Sequence, residues 1–158
     1  MYLSPQDYLF HRSPMLLIEH IETITPESVT CSISLNSPLL APFLEPKGLP
    51  SYFGIELMAQ TVGIWSGYQD KCAGREAAKG GLILSVRAFE AQQDYITCPH
   101  DVPLIITMNM LMQDRNYASF EGTISQSKST TNDGILATGR LSLCQLDAEL
   151  EQRLGFSA

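Results

Sequence analysis

The chain has 158 residues, of which 44% are hydrophobic and 17% are charged, with a net charge of −7. This length predicts one domain with a proper hydrophobic core. The negative charge argues against nucleic acid as the main partner, because such binding relies on clustered lysine and arginine. The four cysteines form no C-x-x-C pair and have no histidine at metal-ligand spacing, and the N-terminus lacks a signal-peptide pattern, which predicts a reducing, cytoplasmic location.

The first fifty residues predict a short helix, two strands and a loop. The Ser4–Pro5 pair is suited to begin a helical turn, and an extended apolar run over residues 14–21 predicts a first strand. Residues 28–35 alternate between polar and apolar side chains, which predicts a strand with one solvent-facing side. Residues 36–49 contain three prolines and a glycine, and we expect an irregular loop.

A long apolar stretch over residues 49–68 predicts the central helix. Its one charged side chain is Glu56, and Gln60 lies one turn later on the same face. A membrane span of about 20 apolar residues is disfavoured by these two polar groups and by three glycines. Two interpretations remain for Glu56: it reaches solvent from an ordinary core helix, or it is a functional acid whose burial raises its pKa. The helix is expected to end near Gly74 or Gly80.

The C-terminal half predicts strands only, with a hairpin turn at residues 131–134. Four strands are expected there, over residues 82–89, 104–112, 118–126 and 135–143. Residues 1–146 are predicted to form a single domain, followed by a C-terminal tail, 147–158, that is a short helix or loose. A sheet apolar on one face and a helix apolar nearly all round would cover each other. We therefore predict an α+β fold in which a curved antiparallel sheet wraps round one helix, with a second copy covering the remainder.

Several spaced motifs resemble the hotdog-fold 3-hydroxyacyl-(acyl carrier protein) dehydratases. Residues 11–18 (HRSPMLLI) resemble the opening motif L-P-H-R-x-P-x-L-L, and residues 54–60 (GIELMAQ) resemble the helix motif L-E-A-M-A-Q. Residues 97–104 lie where members have a V-x-P-G-D-x-L turn. Within that superfamily the chain resembles the ApeP-type subgroup associated with aryl polyene pigment synthesis, also at residues 48–50 (GLP) and 81–87 (GLILSVR, similar to G-x-L-L-G-T-R).

One departure from the family concerns the catalytic base. The common dehydratases carry a histidine fourteen residues before the helix glutamate, and that position here is Pro42. The resemblance implies that Glu56 is the catalytic acid. His11, in a matched motif, is the candidate base, and the alternative is that it is structural. If the two cooperate, related hotdog dimers suggest that they come from opposite subunits. His20 and His100 are expected to be packed or exposed residues without a catalytic role.

Substrate binding is predicted for four further positions. Gln60 would hold the carboxyl group of Glu56 or bind the substrate hydroxyl. Backbone N–H groups at the helix start, near Phe53 and Gly54, would face the thioester oxygen. Arg87 would bind phosphate or lie at a dimer interface. A basic row repeating every four residues is either a docking patch for an acidic carrier protein or an ordinary solvated helix end: Lys71, Arg75 and Lys79.

These observations predict a dehydratase that converts 3-hydroxyacyl thioesters on an acyl carrier protein to trans-2-enoyl thioesters, in fatty acid or polyene synthesis. No metal and no cofactor are predicted. The expected partners are the acyl carrier protein and a second hotdog subunit, identical or different. Two alternatives are a non-catalytic subunit of a heteromeric dehydratase, suggested by the missing histidine, and an acyl thioesterase, in which the helix carboxyl group activates water.

Overall fold

The computed structural model describes residues 1–75, 81–99, 102–126, 134–146 and 148–155. Two 3₁₀ turns, Pro5–Asp7 and Ala41–Phe43, precede the central helix. The strands are β1 (His20–Ile24), β2 (Ser28–Ile33), β3 (Leu49–Pro50), β4 (Gly81–Ala91), β5 (Tyr95–Ile96), β6 (Leu104–Asp114), β7 (Tyr117–Gln126) and β8 (Ile135–Gln145). The helices are α1 (Phe53–Cys72) and α2 (Ala148–Leu154). Within this part of the chain, no helix is long and apolar enough to cross a membrane.

The strands form a six-stranded antiparallel sheet in the order β1-β2-β6-β7-β8-β4, and β3 pairs separately with β5. Helix α1 packs against β2, β4, β6, β7 and β8. The predicted α+β fold, with one antiparallel sheet round one main helix, is therefore confirmed.

Packing against the sheet explains why α1 is apolar nearly all round. Leu57, Met58 and Ile64 are completely buried, and each such side chain contributes roughly 1.5 to 3 kcal/mol of hydrophobic stabilisation. Trp65 meets Phe120 of β7 edge to face, with ring centroids 5.2 Å apart. The apolar character reflects burial within one domain rather than contact with lipid.

The central helix begins at Phe53, after the start of the apolar stretch, and extends to Cys72, beyond its end. Residues 49 and 50 form β3, and the Ser51 N–H donates to the Asp94 carbonyl at 2.9 Å, so this part of the apolar run is held by strand pairing. Just beyond the end of α1, Gly74 has a φ of +69°, the left-handed conformation typical of a helix terminus. The predicted end near Gly74 is confirmed.

The predicted first strand is wrong over residues 14–19, because β1 begins only at His20. Leu17 and Ile18 are buried, as the apolar pattern indicated. The Leu17 N–H, however, donates to the side-chain oxygen of Gln60 at 2.9 Å. A helix side chain thus satisfies the backbone that the pattern assigned to a strand ladder.

Strand β6 departs from simple alternation at its second half. Leu104, Ile106 and Met108 are fully buried on one face, as predicted. A bulge lies between Met110 and Met112, and Met112 is 50% exposed. Strict alternation from Leu104 would place Met112 on the core face, but the bulge inserts one extra residue and turns the following side chains away from it.

The four strands expected in the C-terminal half are present, with shifts of one or two residues at their ends, and the short strand β5 was not predicted. The tail contains the short helix α2. Of the cysteines, Cys31 is buried and Cys72 is exposed. His100, Lys79 and residues 131–133 of the predicted turn lie outside the described residues.

Candidate active site

A stretch of irregular chain, residues 8–17, crosses helix α1 and is called the strap below. It is tied to the helix by Gln60, which accepts the Leu17 N–H at 2.9 Å and donates to the Met15 carbonyl at 2.7 Å. Within the strap, the Arg12 guanidinium donates to the carbonyls of Leu9 and His11, at 2.7 and 2.8 Å. The strap is therefore tied to the helix by hydrogen bonds at its C-terminal end and braced internally by Arg12, although it belongs to no sheet.

The strap brings His11 to Glu56 of the same chain. His11 Nε2 lies 3.3 Å from Glu56 Oε1, and the two side chains are 39% and 32% exposed. The sequence-based expectation that such a pair would come from opposite subunits is wrong for this contact. The histidine beside Glu56 is therefore His11 of the strap, whereas position 42 holds a proline.

Gln60 is a second side chain that contacts the carboxyl group of Glu56. Its amide nitrogen donates to Glu56 Oε1 at 2.9 Å, and the same nitrogen donates to the Met15 carbonyl of the strap. The side chain is completely buried, and both amide hydrogens are used. Of the two roles predicted for Gln60, this geometry favours holding the carboxyl group.

The environment of Glu56 lowers its pKa. The hydrogen bond from His11 is the largest cause, burial opposes it by raising the pKa, and the Gln60 hydrogen bond lowers the pKa further. The prediction of a raised pKa is therefore wrong, because two hydrogen-bond donors outweigh desolvation. In the free protein this site holds a carboxylate.

We expect the stability of the protein to depend on the ionisation of Glu56. A carboxyl group whose pKa is lower in the folded state stabilises the fold above its unfolded pKa, near 4.3, and loses this contribution as the pH falls through the folded value. The free energy of unfolding of wild type minus that of Glu56→Gln should be constant above about pH 5 and shrink at lower pH. Urea unfolding at several pH values measures this, and a constant difference down to pH 3 would contradict it.

The second ring nitrogen of His11 indicates which tautomer is present. Nδ1 is buried and has no hydrogen-bond partner among the described residues. A proton on Nδ1 would be a buried donor without an acceptor, which costs roughly 1 to 3 kcal/mol. We infer that Nε2 carries a proton, which points at the Glu56 carboxylate.

A cavity of about 620 Å³ opens beside the pair. His11 and Glu56 lie at one part of its wall, and apolar side chains follow from the helix and from strands β7 and β8: Ala59, Val62, Trp65, Phe120 and Leu143. The far part is polar, with Ser66, Asp70 and Gln145. The cavity therefore joins the His11–Glu56 pair to an apolar wall and then to a polar end along the helix.

Sequence reasoning missed the polar part of this cavity. Gln145 donates to Asp70 at 3.1 Å and also to Ser66. Arg75 contacts Asp70 through two nitrogens, each at 3.1 Å, so it is paired and its part in the predicted docking patch loses support. Asp70 lies fourteen residues after Glu56, a spacing close to four helical turns, and that spacing was the available signal.

The two residues at the helix start whose N–H groups were predicted to face the thioester oxygen do not have that position. The Gly54 N–H is not free, because it donates to the Ser51 carbonyl at 2.9 Å. A Cβ at Gly54 would lie 3.1 Å from both Phe89 and Ile124, so packing explains the glycine. Phe53 packs against Phe43, with ring centroids 5.1 Å apart. Neither Phe53 nor Gly54 lines the cavity described above.

Arg87 and His20 lie away from the pair. Arg87 is exposed on β4, an outer strand of the sheet, and does not line the cavity. His20 is exposed and contacts Glu19 at 3.0 Å. Among the described residues, no group of three or more histidine, cysteine or acidic side chains could hold a metal.

An antiparallel sheet packed on one central helix, with a carboxylate of that helix opening into an apolar cavity, defines a hotdog-fold protein. The family model of the ApeP dehydratases, described as ApeP-like, matches residues 3–155. The chain belongs to this ApeP-like dehydratase family. The predicted function, dehydration within a group associated with polyene synthesis, is thereby confirmed at the level of the family.

Solved structures agree with this assignment. One chain of the dehydratase heterocomplex ApeI:P from Xenorhabdus doucetiae is 34% identical, with a TM-score of 0.88 over 99% of this chain and 100% of that chain. A putative thioesterase from Syntrophus aciditrophicus (18% identity, TM-score 0.55, 82% of this chain and 85% of that chain) shows the fold alone. TT0310 protein from Thermus thermophilus, with 12% identity and a TM-score of 0.58 over 86% of this chain and 100% of that chain, also shows the fold alone. No curated protein matches the chain in sequence.

Proposed function

We propose that this protein removes water from 3-hydroxyacyl thioesters carried by an acyl carrier protein, giving trans-2-enoyl thioesters in aryl polyene synthesis. The observation that carries the proposal is the Glu56 carboxylate, held by His11 and Gln60 at the wall of an apolar cavity. The reaction must break the bond between Cα and hydrogen and the bond between Cβ and the hydroxyl oxygen, so one proton is removed and one is delivered.

Two assignments of these proton steps fit the pair. In the first, which the sequence predicted, neutral His11 takes the α-proton and protonated Glu56 donates to the leaving hydroxyl group. In the second, the Glu56 carboxylate takes the α-proton and then delivers it to the hydroxyl group, which leaves as water. His11 then keeps its Nε2 proton and holds the carboxylate in place.

The geometry favours the second assignment. The pKa of Glu56 is lowered, so the carboxyl group starts as a proton acceptor. Both His11 and Gln60 contact Oε1, and among the described residues no hydrogen-bond donor contacts Oε2. Oε2 is therefore the atom that would receive and return the proton.

A second hotdog subunit is part of the proposal. The similar Xenorhabdus structure is a heterocomplex by its description. In this chain β4 is an outer strand of the sheet, and the exposed side chains of Ile83, Leu84 and Val86 lie on it. An apolar outer strand suits pairing with another chain, and Arg87 on the same strand would lie at that interface. Among the described residues the four cysteines form no disulfide, which supports the cytoplasm as the location.

Product analysis tests the proposed reaction. A 3-hydroxyacyl thioester on an acyl carrier protein is given to the purified protein, alone and with a co-expressed hotdog partner, and intact-protein mass spectrometry should show the loss of one water from the carrier-bound acyl group. Turnover by the chain alone that is lowered by His11→Ala would exclude a non-catalytic subunit. No enoyl product under either condition would contradict the proposal.

Hydrolysis is the second candidate, and the lowered pKa of Glu56 is the observation that favours it. A carboxylate at the cavity wall would also activate water for attack on the thioester carbonyl. The same assay separates the two reactions, because hydrolysis releases the carrier thiol and a free 3-hydroxy acid. Membership of the dehydratase family favours dehydration.

A further inference from the structure

Two glycines of α1 allow the strap to cross the helix at close range. A Cβ at Gly67 would lie 2.2 Å from the Tyr8 carbonyl oxygen and 3.0 Å from its Cα, which is far inside contact distance. A Cβ at Gly63 would lie 2.7 Å from Leu9 Cδ2. Any side chain at Gly67 must therefore move the strap backbone, whereas one at Gly63 has only to displace a side chain.

These glycines share a helix face with the reactive carboxylate. Glu56, Gln60, Gly63 and Gly67 follow one another at intervals of four, three and four residues, which places them in one row along α1. Gln60 holds the end of the strap at Met15 and Leu17 by hydrogen bonds. Gly63 and Gly67 determine how closely the beginning of the strap, at Tyr8 and Leu9, approaches the helix. His11 lies in the chain between these contacts and the hydrogen bonds to Gln60.

We propose that Gly67, with Gly63, is a positioning residue for the reaction: it seats the strap so that His11 Nε2 reaches Glu56. This inference rests on the proposed role of the His11–Glu56 pair. His11 follows Tyr8 by three residues, and the Arg12 guanidinium bonds to the carbonyls of Leu9 and His11 make the intervening segment a firm connection. Raising the strap at Tyr8 therefore lifts the imidazole from the carboxylate.

The required displacement is large compared with the tolerance of the contact. An added methyl group at Gly67 needs about 1 Å or more of backbone movement to reach an ordinary contact distance. The His11–Glu56 separation is already 3.3 Å, and a hydrogen bond weakens steeply beyond about 3.5 Å. A misplacement of about 1 Å costs up to 10²-fold in rate.

A double-mutant cycle tests whether Gly67 acts through His11. With the carrier-bound 3-hydroxyacyl substrate, we expect kcat of Gly67→Ala to fall on the order of tenfold to hundredfold, by no more than in His11→Ala, with KM changed less than about threefold. In Gly67→Ala/His11→Ala we expect no further loss beyond His11→Ala. Losses that multiply, or a full kcat in Gly67→Ala, would overturn the proposal.

The pKa of Glu56, followed by carbon-13 NMR of its carboxyl group, gives a readout that does not depend on turnover. It should rise in Gly67→Ala as in His11→Ala, since the hydrogen bond that most lowers it is lost. Gly74→Ala is the control: it strains the end of the same helix, where φ is +69° and a Cβ meets nothing within 4 Å. It should lower stability by about 1 kcal/mol but leave kcat and the Glu56 pKa unchanged.

Two further variants keep the inference testable if Gly67→Ala does not fold. Gly63→Ala should lower kcat more mildly, and Leu9→Val should restore it, because valine lacks the Cδ2 atom that the new methyl group would meet. Failure of that rescue would overturn the proposal. If His11→Ala itself retains full activity, the proposed catalytic pair fails; if only the glycine variants retain it, the positioning role alone fails.

Discussion

Replacing Glu56 with glutamine is expected to lower kcat by about 10²- to 10⁴-fold, the range that acid–base groups contribute. Glutamine has nearly the same shape and keeps an oxygen that can accept from His11 and Gln60, so the fold should persist. The glutamine amide cannot take up or release a proton near neutral pH. Steady-state turnover of the carrier-bound 3-hydroxyacyl substrate, with circular dichroism as a check on folding, measures the effect.

The chain offers a matched control in a second histidine–glutamate pair. Glu19 and His20 lie 3.0 Å apart on an exposed part of the chain, and neither lines the cavity. Glu19→Gln and His20→Ala should leave kcat unchanged within twofold. Equal losses of kcat in the two pairs, or full activity of Glu56→Gln, would contradict the catalytic role assigned to Glu56.

The two assignments of the proton steps differ in what they require of His11. If His11 only donates a hydrogen bond, His11→Asn supplies another N–H donor and should retain more activity than His11→Ala. If His11 is the base, both variants should be equally inactive, since an amide cannot accept the α-proton. This comparison therefore shows whether Glu56 or His11 takes the α-proton.

Replacing Gln60 with leucine should have the largest effect on stability. The change removes three hydrogen bonds and leaves the buried Leu17 N–H without its partner, while the volume stays similar. Losing partners for buried polar groups costs about 1 to 3 kcal/mol each, so we expect the free energy of unfolding to fall by roughly 2 to 4 kcal/mol. Activity should fall as well, because the carboxyl group of Glu56 loses one of its two donors.

Urea unfolding compares this variant with Gln69→Leu on the same helix. Gln69 makes one exposed hydrogen bond, to the Thr25 carbonyl at 3.2 Å, so its replacement should change stability by less than about 0.5 kcal/mol. A Gln60→Leu protein as stable as Gln69→Leu would show that the strap does not depend on these bonds.

Local patterns predicted most of the fold because their cause is local. Alternation over residues 118–126 and 135–143 reflects the two faces of a strand, and one side must meet the core. Residues 14–19 were predicted wrongly as a strand because Leu17 and Ile18 are buried while the backbone of Met15 and Leu17 bonds to Gln60. Hydrophobic pattern reports burial, and it does not report which partner satisfies the backbone.

By itself the sequence indicated the hotdog fold and singled out Glu56 as the unusual carboxyl group of the central helix, because a lone charge in an apolar helix and the motif around it are visible in the order of residues. The tertiary structure decided that His11 reaches Glu56 within one chain and that the pKa of Glu56 is lowered. Such effects depend on distances between residues 45 positions apart in the chain. Two hydrogen-bond donors oppose desolvation at this site, and only their positions reveal which effect prevails.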